Sequence, residues 1–232
     1  MEKTIVLIGP PNSGKELFGR KLAEIFQMQY VSVGDIVRDK LNNDISWFEE
    51  EYTQENYNRG EMVPDHIISK NILDLLSKNP QVVLDGFPRT EVQCNDFVEV
   101  YKDNFVLIDI FQQENILIKR AINRRICSEC GEIYSLINPQ IMPGENETCL
   151  KCGASVIQRE DDKEEIIKDR INKYIINYPK ILSILFKNSK KGININPGES
   201  TDINLIVNLL SQNIILSSKY DFKLILQIME DL

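Results

Sequence analysis

The chain has 232 residues, 42% of them apolar, which is enough for one domain with a buried core and room for a small insert. Its formal charge of −8 argues against nucleic acid or an anionic membrane as the main partner. No stretch is long and apolar enough to span a bilayer, and the N-terminal region, with Lys3 as its only basic residue before Lys15, lacks the shape of a secretory signal, so a cytoplasmic protein is expected.

In chain order, the β-branched run TIVLI at 4–8 predicts a strand buried on both faces, and a helical pattern follows over 14–26. A helix over 64–78 comes next, opened by Pro64-Asp65 in the manner of a first turn. VVLD at 82–85 and FVLIDI at 105–110 read as further buried strands, with helices over 90–101 and 113–125 around the second. The pattern closes with a long helix over 162–188 and an alternating strand, ININ, at 193–196, Gly192 being suited to the helix end. Strands alternating with helices predict an α/β fold with a parallel sheet flanked by helices. Two segments fit poorly. Residues 126–158 hold turn formers and most of the cysteines, and the tail 213–232 carries an apolar stripe (Phe222, Ile225, Leu226, Met229) read as helix packing on the body.

Chemistry enters at the first strand. Gly9, Pro10, Pro11, Asn12, Ser13, Gly14 and Lys15 form a strand-to-helix turn of the phosphate-loop type. Its glycines let backbone N–H groups face phosphates, and Lys15 supplies charge toward the β- and γ-phosphates. The next position usually holds Ser or Thr; here it is Glu16. Asp85, at the carboxyl end of a predicted parallel strand, is placed to hold Mg²⁺ through water. Arg89, four residues on in DGFPRT, can grip a phosphate in two places.

Four of the five cysteines lie within 26 residues. Cys127-x₂-Cys130 and Cys149-x₂-Cys152 are each followed by glycine, the spacing of two knuckles on one tetrahedral Zn²⁺, iron being the other ion such a set takes. Four thiolates leave no open position, so the site is structural. Glu129, Glu132, Glu145 and Glu147 nearly cancel the local basic residues, which speaks against nucleic acid there. Cys94 is read as a free thiol and His66 as a surface residue.

GPPNSGK, VSVGDIVR (31–38), DGFPRTEVQ (85–93), RAINRR (120–125) and QREDDKEEIIKDR (158–170) stand in the order and spacing of the adenylate kinase family. Over residues 3 to 210 or so, the chain resembles that family in its long-lid form. The resemblance implies a P-loop kinase core (1–29, 61–125 and 160–212), an AMP-binding arm (30–60) and a zinc lid (126–159), with 213–232 a C-terminal extension. It implies a monomer that moves the γ-phosphoryl of MgATP to AMP, giving two ADP. Lys15, Asp85, Arg89, Arg124, Arg159 and Arg170 would be the catalytic set. ATP would lie on residues 9–17, Arg120, Arg124 and Tyr134. AMP would lie on Val33, Arg38, Met62, Val63, Gly86, Arg89, Gln93, Arg159 and Arg170, with Gln93 reading the adenine edge. Asp161 and Asp162 would aim arginines.

Six of the nine arginines fall on these phosphate positions, as an acidic protein concentrating cation on one polyphosphate would need. Departures from the family pattern are Glu16 and Leu17 for Gly and Thr, Val33 for Ser or Thr, and Ser135 for a His after Tyr134. Glu16 either points outward along the helix dipole or points inward and repels ATP. These departures keep two other readings open: a monophosphate kinase of another base preference, and a nucleotide-binding protein with little turnover whose lid serves a partner.

Overall fold

The structure is a computed structural model that describes residues 4–102, 104–189 and 191–195. Position 196 of the last predicted strand, core residues 196–212 and the 213–232 tail lie outside the described residues.

β1 (Thr4–Ile8) leads into α1 (Lys15–Phe26), then β2 (Gln29–Ser32), α2 (Val33–Asn43) and the short α3 (Gln54–Asn58). α4 (Asp65–Lys78), β3 (Val82–Asp85), α5 (Glu91–Tyr101), β4 (Phe105–Ile110) and α6 (Glu114–Ile122) follow. Three short strands, β5 (Arg124–Cys127), β6 (Ile133–Ser135) and β7 (Val156–Ile157), precede α7 (Glu164–Asn188) and β8 (Lys191–Ile195). The main sheet is parallel, in the order β2-β3-β1-β4-β8. The small sheet, β6-β5-β7, is antiparallel.

The β-branched runs form central strands because both faces are covered. Val6, Ile8 and Leu84 pack into one cluster with Ile67, Ile72, Phe97 and Leu185 from α4, α5 and α7. Leu7, Val83 and Ile108 point the other way, against Phe18 and Leu22 of α1. Side chains alternate across a strand, so one apolar run feeds two cores. Phe97 sits between Tyr101 (centroids 4.7 Å apart) and Phe105 (5.0 Å), and its truncation to Ala costs about 3–5 kcal/mol. Among the described residues no helix is long and apolar enough to cross a membrane.

Several boundaries differ from the sequence expectation. The helix predicted to 125 stops at Ile122, and Arg124 begins a strand instead. The long helix starts at Glu164, after a 3₁₀ turn at Glu160–Asp162. Gly192 is not a helix end: α7 stops at Asn188, and Gly192 lies within β8. β2 and α2 were not anticipated, because QYVS is short and half-buried and its helix starts without a loop, capped by Ser32 Oγ accepting from Asp35 N. Pro64 is the N-cap of α4 rather than its first helical residue.

The order β2-β3-β1-β4 puts the switch in strand direction of travel at the carboxyl end of β1, where open α/β sheets bind ligands. Leu7 pairs with Asp85 across β1 and β3, so the turn after β1 and the end of β3 share one edge. Gly9 makes that turn possible. Its φ is +144°, and a Cβ there would lie 2.2 Å from the Ile110 carbonyl oxygen. Gly9→Ala is expected to lower stability by at least about 2 kcal/mol, read as a fall in the urea midpoint at unchanged m-value; an unshifted midpoint contradicts this packing.

Candidate active site

The turn between β1 and α1 reaches the helix through Gly14, whose φ of +100° makes it the N-cap, and no side chain caps the helix among the described residues. The first N–H groups of α1 therefore keep their partial positive charge for an anion in the cleft. Lys15 opens the helix. Its Nζ donates to the Pro10 carbonyl at 2.8 Å and, more weakly, to Ser13 Oγ at 3.4 Å. Burial pulls its pKa down to about 8; Asp85 opposes that fall, while Arg89, Arg170 and Arg124 add to it. Arg120 reaches the same loop from α6, its Nη1 donating to the Ser13 carbonyl at 3.0 Å.

Asp85 ends β3 and accepts a 2.7 Å hydrogen bond from the Tyr30 hydroxyl. Thr90, not Asp85, caps α5, its hydroxyl accepting from Gln93 N. Gly86, at φ +91°, leaves space that a Cβ would take from Arg89, whose Nη2 would lie 2.7 Å away. Arg89 is enclosed; burial, then repulsion from Arg170, presses its pKa downward. The Gln93 amide is fixed, its oxygen accepting from Arg89 N and its nitrogen donating to Asp65 Oδ1, both at 2.7 Å.

Three of the cleft arginines are aimed by carboxylates. Arg124 makes a two-pronged pair with Asp162 at 2.8 and 2.6 Å. Arg170 meets Asp161 at 2.5 Å. Arg38 pairs with Asp35 and also donates to the Tyr57 hydroxyl at 3.0 Å, which in turn donates to Asp161 at 3.4 Å. Burial alone would lower Arg124; the Asp162 hydrogen bond together with the charges of Asp162, Asp161 and Glu16 outweighs it, and the pKa ends above the ordinary value. Arg159 is pressed downward by burial first, then by Arg124 and Arg38.

These groups line one cleft of about 340 Å³. Of the residues singled out from sequence, it brings together Gly9, Pro11, Asn12, Gly14, Lys15, Glu16, Leu17, Asp85, Gly86, Arg89 and Gln93. It also includes Val33, Arg38, Met62, Val63, Arg120, Arg124, Tyr134, Arg159 and Arg170. Pro10 and Ser13 stand behind the lining, as partners of Lys15 and Arg120. The Glu16 side chain is not turned away to solvent: it borders the cleft. Lining residues that sequence reasoning missed include Tyr52, Tyr57, Lys173 and Tyr174. Tyr30, which holds Asp85, was also missed. Tyr57 and Tyr174 left no local signal, since a tyrosine in a helical pattern reads equally as core.

The four cysteines gather at the small sheet. Sγ separations are 3.4 Å for Cys127–Cys152 and 3.6 Å for Cys130–Cys149 and Cys130–Cys152. Those distances exceed the roughly 2 Å of a disulfide and approach the roughly 3.8 Å edge of a tetrahedron with bonds of about 2.3 Å. The two knuckles match: Gly131 N donates to the Cys127 carbonyl and Gly153 N to the Cys149 carbonyl. Cys94, by contrast, is buried in the main core, and His66 is exposed, 3.3 Å from Glu51.

The family model described as adenylate kinase matches residues 7–190. A protein named adenylate kinase from Petrotoga mobilis is 35% identical over 192 residues, covering 80% of this chain and 86% of that one. Its namesakes from Thermotoga petrophila (34%, covering 82% and 86%) and Thermococcus sibiricus (35%, covering 77% and 80%) are similar to the same extent.

The depressed Lys15 pKa carries a pH signature. The protonated ammonium is the form that pairs with phosphate, and in the nucleotide-free protein it is lost above about pH 8. Binding of a nucleoside triphosphate at about pH 9 must then take up a proton, and affinity falls with rising pH, by up to about tenfold per unit. Calorimetry in two buffers of different ionisation enthalpy measures the uptake; no uptake with flat affinity contradicts the assignment.

Proposed function

The chain belongs to the adenylate kinase family, and on that premise we propose that it transfers the γ-phosphoryl of ATP to AMP, reversibly, giving two ADP. The observation that carries the reading is convergence: Lys15 and six arginines from separate elements line one cleft beside Asp85.

In this reading an oxygen of the AMP phosphate attacks the γ-phosphorus as the bond to the β,γ-bridging oxygen breaks. No proton has to be removed, because the attacking phosphate is already an anion. What remains for the protein is placement and charge. The loop 9–14 and the start of α1 hold the ATP phosphates, with Lys15 leaving the Pro10 carbonyl for them. Arg38 and Arg89 hold the AMP phosphate, while Arg120, Arg124, Arg159 and Arg170 surround the group in flight. Gln93, its amide held by the Arg89 N–H and Asp65, presents its second amide hydrogen and remaining oxygen lone pair to the adenine of AMP, over the floor made by Val33, Met62, Val63 and Gly86. Val33 offers no hydroxyl to the base, so discrimination rests on Gln93. Asp85, held by Tyr30, would hold Mg²⁺ through water, and the ion would supply positive charge to the ATP phosphates. Residues 30–60 act as the AMP arm and 126–159 as the lid, Tyr134 forming part of the wall over ATP.

The lid is proposed to be of the zinc-bearing kind, with Cys127, Cys130, Cys149 and Cys152 as a closed ligand set. The local core is small, consisting of Cys127, Tyr134, Cys149 and Val156 with Ala154 against it. A metal supplies the cohesion such a core lacks. The protein is taken as a cytoplasmic monomer without nucleic-acid or membrane partners.

A coupled assay pairing ATP, GTP, CTP and UTP with AMP, GMP, CMP and UMP tests the activity. ADP should form fastest from ATP plus AMP, with diadenosine pentaphosphate as inhibitor. Arg124→Ala should lower kcat by about 10²–10³. ATP binding with no ADP formed rejects the kinase, and a faster pairing rejects the base assignment. For the lid, Cys130→Ser with Cys149→Ser should release the bound zinc and melt residues 126–159 below the core, as followed by metal analysis and hydrogen exchange. Unchanged exchange there rules out a structural metal.

A further inference from the structure

Glu16 stands where a phosphate loop has no use for a carboxylate, and its surroundings give it one. The side chain is 18% exposed and divides its two oxygens between two elements. Oε1 accepts from Arg20, four residues on along α1, at 2.9 Å from Nη2 and 3.3 Å from Nε. Oε2 lies 3.9 Å from Nη2 of Arg159, on the chain returning from the lid between β7 and α7. Arg159 is 11% exposed, and its Nε is buried without a hydrogen-bond partner among the described residues. The neighbouring cleft arginines on that side are tightly held, Arg124 by Asp162 and Arg170 by Asp161. Arg159 is held loosely, and from across the cleft.

We propose that Glu16 is a positioning residue: it holds Arg159 over the phosphate loop in the nucleotide-free protein, and the ATP phosphates must take that guanidinium from it. The inference rests on the reading of the cleft as an ATP site. Arg20 makes the exchange feasible. It is 51% exposed, rests over the Tyr30 ring at 4.9 Å and lies 3.4 Å from Asp35. When Arg159 moves to phosphate, Glu16 keeps a cationic partner, so no carboxylate is left unpaired beside the triphosphate. Glu16 therefore weakens ATP binding by a limited factor and keeps the lid's return segment near the loop until ATP arrives. A partly buried pair at this distance is screened less by salt than a surface pair, and its exchange is worth roughly threefold to tenfold in affinity.

Two variants move in opposite directions. Glu16→Gln, nearly the same shape without the charge, should tighten MgATP binding about threefold to tenfold, as read by calorimetry. Arg20→Ala, which leaves Glu16 to Arg159 alone, should weaken it. In the nucleotide-free protein, Glu16→Gln should speed amide exchange over residues 156–162, and saturating ATP should abolish that difference. Unchanged or weaker ATP binding in Glu16→Gln overturns the proposal, as does a shift of both variants in the same direction, the result of a purely structural role. Binding is read without turnover, so ATP bound with no ADP formed rejects the kinase reading and still decides the part played by Glu16.

Discussion

Like charges confined in a small space dominate this molecule. Lys15 and six arginines face one cleft, where burial first and mutual repulsion second press the pKa values of Lys15 and Arg89 downward. The fold tolerates them partly because carboxylates stand behind three of them. Asp162 grips Arg124 in two places, Asp161 holds Arg170, and Asp35 holds Arg38. A polyanion relieves the remaining strain, so the electrostatic cost carried by the free protein becomes a preference for a ligand with many phosphates. The surplus of acidic residues elsewhere is compatible with this arrangement, because the cleft is shielded and much of the outer charge is in water.

The same carboxylates join parts of the chain that must act together. Arg38 of α2 donates to Tyr57 of the small α3, Tyr57 to Asp161, and Asp161 receives Arg170 of α7. This path links the segment around residues 33–58 to the turn that precedes α7 through side chains alone. Groups that touch the two ends of a cleft are thus in one hydrogen-bonded line, and a change in either end is felt at Asp161. Tyr57 is its middle member.

What could be read from sequence was set by how local the cause is. The strands 4–8, 82–85 and 105–110 are continuous β-branched runs, and they formed where the pattern put them, because burial on both faces is a property of the run itself. The glycine turn after β1 and the clustering of the two cysteine pairs were legible for a similar reason: each is a short turn whose glycines and cysteines or lysine are neighbours in sequence. β2 was hidden because four residues with two half-buried positions carry no periodicity, and the end of α6 was misjudged because Arg124 is polar and helix-friendly yet is drawn into β5 by its pairing with Ser135. Tyr30 and Tyr57 were missed at the site for a tertiary reason. Their hydroxyls matter only through Asp85 and Asp161, which lie far away in sequence.

The small sheet has little apolar surface of its own to hold it together. Its core holds one ring, that of Tyr134, and the hydroxyl of that ring accepts from Leu150 N at 2.9 Å and lies 3.2 Å from Cys149 Sγ. The ring also borders the cleft. A wall residue of the cleft is therefore seated on the second cysteine knuckle, and it keeps its place only as long as that knuckle does. A larger hydrophobic core could seat the ring as firmly, but it would need more chain than residues 126–159 supply. In the proposed zinc-bearing form, four thiolates around one ion would fix the same ring within residues 126–159, which would make the cysteine cluster and the cleft one design.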